Sequence, residues 1–256
     1  MNGLRKKSKR FEHCNAKFKP KCQIQINQTR IRGETLTEHK TILCIGDSIV
    51  EGYPYGLEAS WVFGAEAIRA QEGKTELWIN AGISGQTTAE IRSRLGYALL
   101  RWKPNLVILS CGTNDFIFLE GNAGQPDSAW DNIRTMATTV HSCGVKVIIA
   151  APPLTIPEMA SRRWSDGTDY DEVNRKLKEL RQRIGTWCEE RADKAVQADC
   201  EIDAEMWDVQ GLFLQLCGDG STENAGRWFV DGLHPTREGY QAMAQQLCEK
   251  LPLMNF

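Results

Sequence analysis

The sequence lacks any apolar run long enough to cross a membrane, and it lacks internal repeats. A membrane-spanning helix needs about 18 to 20 consecutive apolar residues, whereas the most apolar stretches here, such as residues 145–153, have the length of a strand. Apolar residues make up 41% of the 256 residues and charged residues 25%, which is the balance of a globular protein. These features exclude a membrane-spanning protein, a collagen-like chain, a disulfide miniprotein and a chain that is disordered throughout.

The sequence also has no C-x-x-C motif and no recognisable secretion signal. The nine cysteines form no C-x-x-C motif, and several lie in apolar segments where a thiol behaves as a small buried hydrophobic group. Residues 11–40 contain no apolar run of the roughly 7 to 15 residues that a secretory signal needs. We therefore expect reduced cysteines and a cytoplasmic protein. The spacing of His13, Cys14, Cys22 and His39 matches no usual zinc site, and we expect no metal or other cofactor.

The charges are divided unevenly along the chain. Residues 1–40 hold eleven Lys and Arg against three Glu, a net charge of +8. The remaining 216 residues carry 20 Lys and Arg and 30 Asp and Glu, a net charge of −10. We therefore expect a flexible, basic N-terminal extension over residues 1–40 and one domain over residues 41–256. Because that domain is acidic, nucleic acid is not expected as a partner, and no feature of the sequence specifies an oligomeric state.

From residue 41 onward, short apolar runs alternate with amphipathic segments. This pattern is typical of a parallel sheet covered by helices on both faces, and it predicts one three-layer α/β/α domain. The predicted strands are residues 41–46, 76–82, 105–112 and 145–151, with a weaker fifth strand at residues 194–203. Apolar residues at helical spacing predict helices around residues 91–99, 130–140, 173–188 and 240–251. The polar, glycine-rich residues 218–227 are expected to form a mobile loop.

Polar residues follow each of the first three predicted strands. They read GDS at residues 46–48, NAGISG at residues 80–85 and GTND at residues 112–115, and DGLHP at residues 231–235 precedes the last predicted helix. In doubly wound sheets the ligand lies outside the carboxyl ends of the strands. These four segments are therefore the candidate active site.

Ser48, His234 and Asp231 have the side chains that acyl transfer through a serine nucleophile requires. A serine needs a general base, and His234 is the best placed of four histidines, because two lie in the basic segment and one on a predicted helix. Asp231 lies three residues before His234 on the same loop, so one turn can supply both the base and the acid that orients it.

Donors for a developing oxyanion are available at the same strand ends. The backbone N–H groups of Ser48 and Gly85 and the side-chain amide of Asn114 are suitable donor types. Asp47 and Asp115 are interpreted as structural supports of their loops.

The segments GDS, NAGISGQTT, GTND and DGLHP, in this order, resemble the four sequence blocks of the SGNH (GDSL-type) hydrolase family. The resemblance extends over residues 41–240. It implies Ser48 as the nucleophile, His234 and Asp231 as base and orienting acid, and Gly85 and Asn114 as oxyanion donors. It also implies a flavodoxin-like, five-stranded parallel sheet with strand order 2-1-3-4-5.

These segments differ from the family pattern at two positions. The first segment reads GDSIV instead of GDSL, and Gly82 occupies a position where relatives often have serine. Neither departure is expected to touch a catalytic atom.

The predicted function is a metal-independent serine esterase that hydrolyses small-molecule carboxylic esters with short to medium acyl or aryl groups. The apolar loop residues after GTND have two open interpretations, core packing or one wall of an acyl pocket; they are Phe116, Ile117, Phe118 and Leu119. Tyr53 is a further candidate for substrate binding, followed by Tyr55 and Trp61.

Three other functions remain open on the same sequence: a carbohydrate acetylesterase, an acyltransferase that uses the same site, and a catalytically silent binding module. Several competing chemistries lack their motifs. The sequence contains no G-x-S-x-G of α/β-hydrolases, no G-x-G-x-x-G after the first strand, no P-loop and no H-E-x-x-H.

Overall fold

The computed structural model describes residues 39–119, 121–197, 204–218 and 222–251. These ranges contain five strands: β1 (Thr41–Gly46), β2 (Leu77–Gly82), β3 (Leu106–Ser110), β4 (Lys146–Ala150) and β5 (Ala204–Trp207). The α-helices are α1 (Ser48–Glu51), α2 (Trp61–Gln71), α3 (Thr88–Trp102), α4 (Thr113–Phe118), α5 (Pro126–Ser142), α6 (Pro157–Arg163), α7 (Tyr170–Gln197), α8 (Val209–Cys217), α9 (Thr222–Trp228) and α10 (Arg237–Lys250). Leu57–Ala59 and Gly121–Gly124 form short 3-10 helices.

The five strands form one parallel sheet in the order β2-β1-β3-β4-β5. This order and the α/β class confirm the fold expected from the sequence. In the register of the sheet, Gly46 at the end of β1 lies opposite Gly82 of β2 and Ser110 of β3. The loops that follow these three strands therefore start side by side at one edge of the sheet.

The core consists of two apolar clusters, one on each face of the sheet. Alternate residues of a strand point to opposite faces, so Ile42 and Cys44 of β1 join the first cluster whereas Leu43 and Ile45 join the second. The first cluster includes residues of α1, α2, α8, α9 and α10, and the second includes residues of α3, α4, α5 and α7. This is the three-layer arrangement that the sequence predicts.

Two sequence-based predictions about secondary structure are wrong in detail. The fifth strand was expected at residues 194–203, but α7 continues to Gln197 and β5 begins at Ala204, with residues 198–203 outside the described ranges. The error arises because β5 is a four-residue edge strand that pairs only with β4, so its apolar signal is short. The predicted loop at residues 218–227 contains α9, which buries Ala225 in the first cluster, while residues 219–221 lie outside the described ranges.

Residues 1–38 lie outside the described ranges, and the basic extension over residues 1–40 therefore stays a prediction. Within the described ranges, no helix combines the length and apolar content that crossing a membrane requires. The six cysteines in this part of the chain are thiols, of which Cys143 is exposed and the other five are buried.

Candidate active site

Ser48 is the first residue of α1, immediately after β1. Asp47 caps this helix, because its Oδ1 accepts a hydrogen bond from the backbone N–H of Ile49 at 3.0 Å. Gly46 makes the tight turn possible, since a Cβ there would overlap the carbonyl oxygen of Ser110 and lie 2.5 Å from a methyl group of Val50. The turn places the Ser48 hydroxyl at the edge of the sheet where β1, β2 and β3 end.

The side chains of Ser48, His234 and Asp231 form a continuous hydrogen-bonded chain. Ser48 Oγ and His234 Nε2 are 2.8 Å apart, and His234 Nδ1 and Asp231 Oδ2 are also 2.8 Å apart. With the imidazole proton on Nδ1, His234 donates to Asp231 and accepts from the Ser48 hydroxyl. All three residues are buried, with 6 to 7% of their surface exposed. The arrangement is that of a nucleophile, a base and an orienting acid.

The loop that carries Asp231 and His234 is fixed at several points. Asp231 Oδ1 accepts hydrogen bonds from the backbone N–H groups of Leu233 at 2.9 Å and His234 at 2.8 Å. Although burial disfavours the charged form, these bonds and the His234 imidazole lower the pKa of Asp231 below its usual value. Asp231 is therefore held as a carboxylate that can accept from His234.

Gly232 joins the same loop to α6. Its φ of 85° is in the left-handed region, and its carbonyl accepts a hydrogen bond from Ile156 N at 2.8 Å. A Cβ at this position would overlap Ala160 N and lie 2.7 Å from the carbonyl oxygen of Ile156. Only glycine satisfies both the backbone angle and this close approach.

The predicted oxyanion donors are Gly85, in the loop after β2, and Asn114, in the first turn of α4, and the two segments are joined through Gln86. Asn114 Nδ2 donates to the carbonyl oxygen of Gln86 at 2.9 Å, which leaves one amide hydrogen for a ligand. Gly85 has a φ of 80°, and no atom lies within 4 Å of the place where a Cβ would stand. Its backbone is therefore open to close approach by a ligand. The N–H of Ser48, in the first turn of α1, has no partner within the helix.

Two residues that the sequence analysis missed hold these loops in place. Arg94 Nε donates to Gln86 Oε1 at 2.7 Å, and its Nη2 donates to the carbonyl oxygen of Gly46 at 2.9 Å. Glu51 accepts from Ser84 N at 2.8 Å and from the Ser84 hydroxyl. The position of Arg94 offered a signal, since it follows Ile91 by three residues and so adjoins the apolar stripe of α3.

Gly82 has a packing role that its sequence position did not indicate. A Cβ there would overlap the backbone nitrogen of Glu51 and lie 2.7 Å from its Cα. The glycine thus allows α1 to lie directly against the end of β2.

Two further carboxyl groups are buried behind Ser48. Burial, with a smaller contribution from the Asp115 charge, raises the pKa of Asp47 to about 6, although the hydrogen bond from Ile49 lowers it. Burial also raises the pKa of Asp115, whose carboxylate accepts from Thr88 N at 2.9 Å and from the Thr88 hydroxyl. Asp115 therefore links the GTND segment to the first residue of α3, in line with a supporting role.

Aromatic rings border His234. The ring centre of Tyr53 is 4.6 Å from that of His234, and the ring centre of Trp164 is 5.6 Å from it. Tyr53 was a candidate for substrate binding, but Trp164 was missed, because nothing in the sequence around it indicates proximity to residue 234. Tyr55 packs against the first apolar cluster and Trp61 is buried within it.

The apolar residues after GTND are in a helix and not in the expected loop, except Leu119, which directly follows the helix. Residues 116–118 lie in α4, where helical periodicity sends successive side chains in different directions. Phe116 is buried in the second apolar cluster, Ile117 packs against it, and Phe118 is 60% exposed. Of the two interpretations left open, core packing therefore describes Phe116.

Within the described ranges, no three His, Cys, Asp or Glu side chains are grouped as ligands for a metal ion. The absence of a metal requirement stays a prediction.

Comparison with known proteins identifies the family. The model of the GDSL-like lipase/acylhydrolase family matches residues 44–242. The chain belongs to this family. Among curated members, an arylesterase of Vibrio mimicus is 29% identical over 126 residues, which are 49% of this chain and 60% of the relative. Esterase TesA of Pseudomonas aeruginosa is 34% identical over 110 residues, 43% of this chain and 53% of the relative. The matched segments thus span little more than half of these two relatives.

Solved structures of the GDSL family share the fold over most of the chain. A member of the lipolytic G-D-S-L family from Veillonella parvula has a TM-score of 0.62 at 19% identity, covering 84% of this chain and 100% of the other. A lipase/acylhydrolase from Enterococcus faecalis has a TM-score of 0.61 at 20% identity, covering 83% and 95%. At these identities the likeness shows that the GDSL-family fold is shared.

Proposed function

We propose that this GDSL-family protein is a carboxylic-ester hydrolase in which Ser48, His234 and Asp231 act as a catalytic triad. The observation that carries this proposal is the pair of 2.8 Å contacts that join Ser48 Oγ to His234 and His234 to Asp231. The family match over residues 44–242 supports the same chemistry.

In the proposed reaction, Ser48 Oγ attacks the ester carbonyl while His234 Nε2 accepts the hydroxyl proton. The tetrahedral intermediate collapses as His234 gives this proton to the oxygen of the leaving alcohol, which leaves the acyl group on Ser48. Water then attacks the acyl-enzyme with His234 as base, and the acid is released. Asp231 stabilises the imidazolium that forms twice in each cycle.

The negative charge on the carbonyl oxygen requires donors that are fixed before the reaction. We propose the N–H groups of Ser48 and Gly85 and the Asn114 amide for this role. The bonds from Arg94 and Asn114 to Gln86 support it, since they restrain the loop that carries Gly85.

Small-molecule esters with short to medium acyl or aryl groups are the proposed substrates. The names of the two curated relatives, arylesterase and esterase, favour this class.

Hydrolysis of p-nitrophenyl acetate, butyrate and octanoate by the wild type and by Ser48→Ala tests the proposal. The variant should lose at least about 10³-fold in kcat, while Ser142→Ala, which removes an exposed hydroxyl bonded to Thr139, should match the wild type. A chelator in parallel reactions should leave the rates unchanged. Labelling by a fluorophosphonate, read by intact mass, should occur in the wild type and be absent from Ser48→Ala. Turnover that persists in Ser48→Ala would disprove the assignment of the nucleophile.

We also propose that the cysteines are reduced, as in a cytoplasmic protein. The burial of five of the six described cysteines as apolar side chains supports this. Titration of thiols in the denatured protein from its natural source should count nine, and a lower count would contradict the proposal.

A further inference from the structure

Two aromatic rings lie beside the imidazole of the proposed base. Tyr53 and Trp164 each lie against His234, and their own ring centres are 6.1 Å apart. The interplanar angles lie between 50° and 57°, so the rings are tilted towards one another. Trp164 is 44% exposed, whereas His234 is 7% exposed. An aromatic surface next to the buried imidazole is therefore open to a ligand.

The position of Trp164 is fixed by the backbone. It caps the C-terminal end of α6, and its N–H donates to the carbonyl oxygen of Ala160 at 2.8 Å. The other end of α6 is attached to the loop of His234 through the hydrogen bond from Ile156 to Gly232. Trp164 and His234 thus belong to one connected unit. Tyr53 is held from another side, because Tyr240 donates its hydroxyl hydrogen to the Tyr53 carbonyl at 2.8 Å.

The reaction decides which part of the substrate meets these rings. His234 Nε2 must reach the oxygen of the leaving alcohol to protonate it, so the alcohol portion of the ester lies beside the imidazole. The proposed oxyanion donor Asn114 lies on α4, which packs on the second apolar cluster, whereas Phe229 and Tyr240, on either side of the His234 loop, belong to the first. The segments that carry the base and this donor therefore pack on opposite faces of the sheet.

We infer that Tyr53 and Trp164 form a subsite for the alcohol portion of the ester and that they select esters of aromatic alcohols. This inference rests on the proposed function. An aromatic group on the alcohol can adopt the offset or edge-to-face contacts that rings prefer at centre distances of about 4.5–7 Å. An aliphatic ring of the same size buries a similar area without this electrostatic preference.

Matched esters separate the alcohol subsite from the acyl subsite. Benzyl acetate and cyclohexylmethyl acetate differ only in the alcohol ring, and methyl phenylacetate and methyl cyclohexylacetate differ only in the acyl ring. In the wild type we expect kcat/KM for benzyl acetate to exceed that for cyclohexylmethyl acetate by about 3- to 10-fold. Trp164→Leu, which keeps an apolar side chain, should bring this ratio close to 1. Trp164→Phe should return it most of the way to the wild-type value. Tyr97→Leu removes a ring that is 68% exposed on α3 and should leave the ratio unchanged.

Other results would overturn the inference. Equal losses on both acetates in Trp164→Leu would mean that Trp164 only positions His234, and a change confined to the two methyl esters would place the rings on the acyl side. Faster turnover of an acetylated methyl glucoside than of benzyl acetate would assign the rings to a sugar. If the wild type hydrolyses p-nitrophenyl acetate through Ser48 but shows no aromatic preference, the inference alone fails. If it hydrolyses no ester, the proposed function fails as well.

Discussion

Burial acts differently on three carboxyl groups of the candidate site, those of Asp231, Asp47 and Asp115. Asp231 is buried, but the hydrogen bonds that it accepts from the His234 loop outweigh the loss of hydration, so its pKa falls. For Asp47 and Asp115 burial dominates, and the pKa of each rises. The carboxylate that must carry a charge in the proposed reaction is thus the one whose surroundings stabilise that charge.

The raised pKa of Asp47 predicts a pH-dependent stability. Because the folded-state pKa of about 6 exceeds the ordinary value of 3.8, the folded protein binds more protons than the unfolded chain between these values. The contribution of Asp47 to the free energy of unfolding should therefore fall as the pH rises through this window, by up to about 3 kcal/mol, and stay level above it. Asp47→Asn keeps an oxygen to cap α1 and should remove this loss.

Urea denaturation at pH 4, 5, 6 and 7 measures the effect. Asp47→Asn should match the wild type near the lowest pH and become the more stable protein towards the highest. Asp166→Asn, a change of the same type at an exposed position, should track the wild type throughout. A stability difference that does not vary with pH would contradict the assignment of the titrating group.

Asn114→Ala should reduce kcat by about 10² to 10³-fold, because one donor to the oxyanion is lost from a buried site. The measurement is steady-state kinetics on p-nitrophenyl acetate, with thermal unfolding to verify the fold. Asn105→Ala is the matched control, since Asn105 accepts from Thr41 N at the opposite edge of the sheet. Full turnover in Asn114→Ala would remove this residue from the proposed oxyanion hole.

At the scale of elements, the sequence predicted best where strands are buried on both faces. β1, β3 and β4 each have two neighbours and layers above and below, so they read as continuous apolar runs. β5 has four residues and one neighbour among the described strands, and residues 194–197, where the strand was expected to begin, belong to α7. The helix α9 escaped prediction because glycine and polar residues dominate a segment in which tertiary packing buries Ala225.

The candidate site was predictable in part for a related reason. Ser48, Asn114 and Gly85 follow predicted strands, so the topology of the sheet brings them to one edge. The proximity of Trp164 to His234 depends on how α6 docks against a distant loop. No local pattern encodes such a contact, and it became visible only in three dimensions.

The docking of α6 on the His234 loop predicts the effect of Gly232→Ala. The added methyl group would overlap Ala160 N and strain a backbone angle that favours glycine, so the variant should lose both stability and turnover. Gly73→Ala is the control, because Gly73 has a φ of 76° but open space around it. The free energy of unfolding of the control should fall by only about 1 to 2 kcal/mol, because a residue with a Cβ is strained at this positive φ. Thermal unfolding and kinetics compare the two variants, and equal losses would contradict the packing argument.

At the scale of the whole molecule, the contacts that define the candidate site in the described part of the chain join residues within 46–240. The residues that form the two apolar clusters likewise lie between positions 42 and 251 of the described chain. We therefore propose that the basic residues 1–40 are an extension of an independent domain.

A chain that starts at residue 39 should fold and hydrolyse p-nitrophenyl acetate with the kcat and KM of the full chain. Circular dichroism, thermal unfolding and kinetics on both proteins test this expectation. A truncated chain that is folded but has an altered KM would show that the basic segment takes part in substrate binding.

Positions 232 and 164, at opposite ends of α6, have different freedom to change during evolution. Where the first turn meets the His234 loop, the backbone of Ile156 and Ala160 leaves no room for a side chain at position 232, so selection for a working triad would keep glycine there. Just beyond the last turn of α6, the Trp164 side chain is 44% exposed and lies against the imidazole, while the hydrogen bonds of the triad run through other residues. A lineage could therefore exchange the residue at position 164 and explore new ester substrates while the catalytic geometry stays the same.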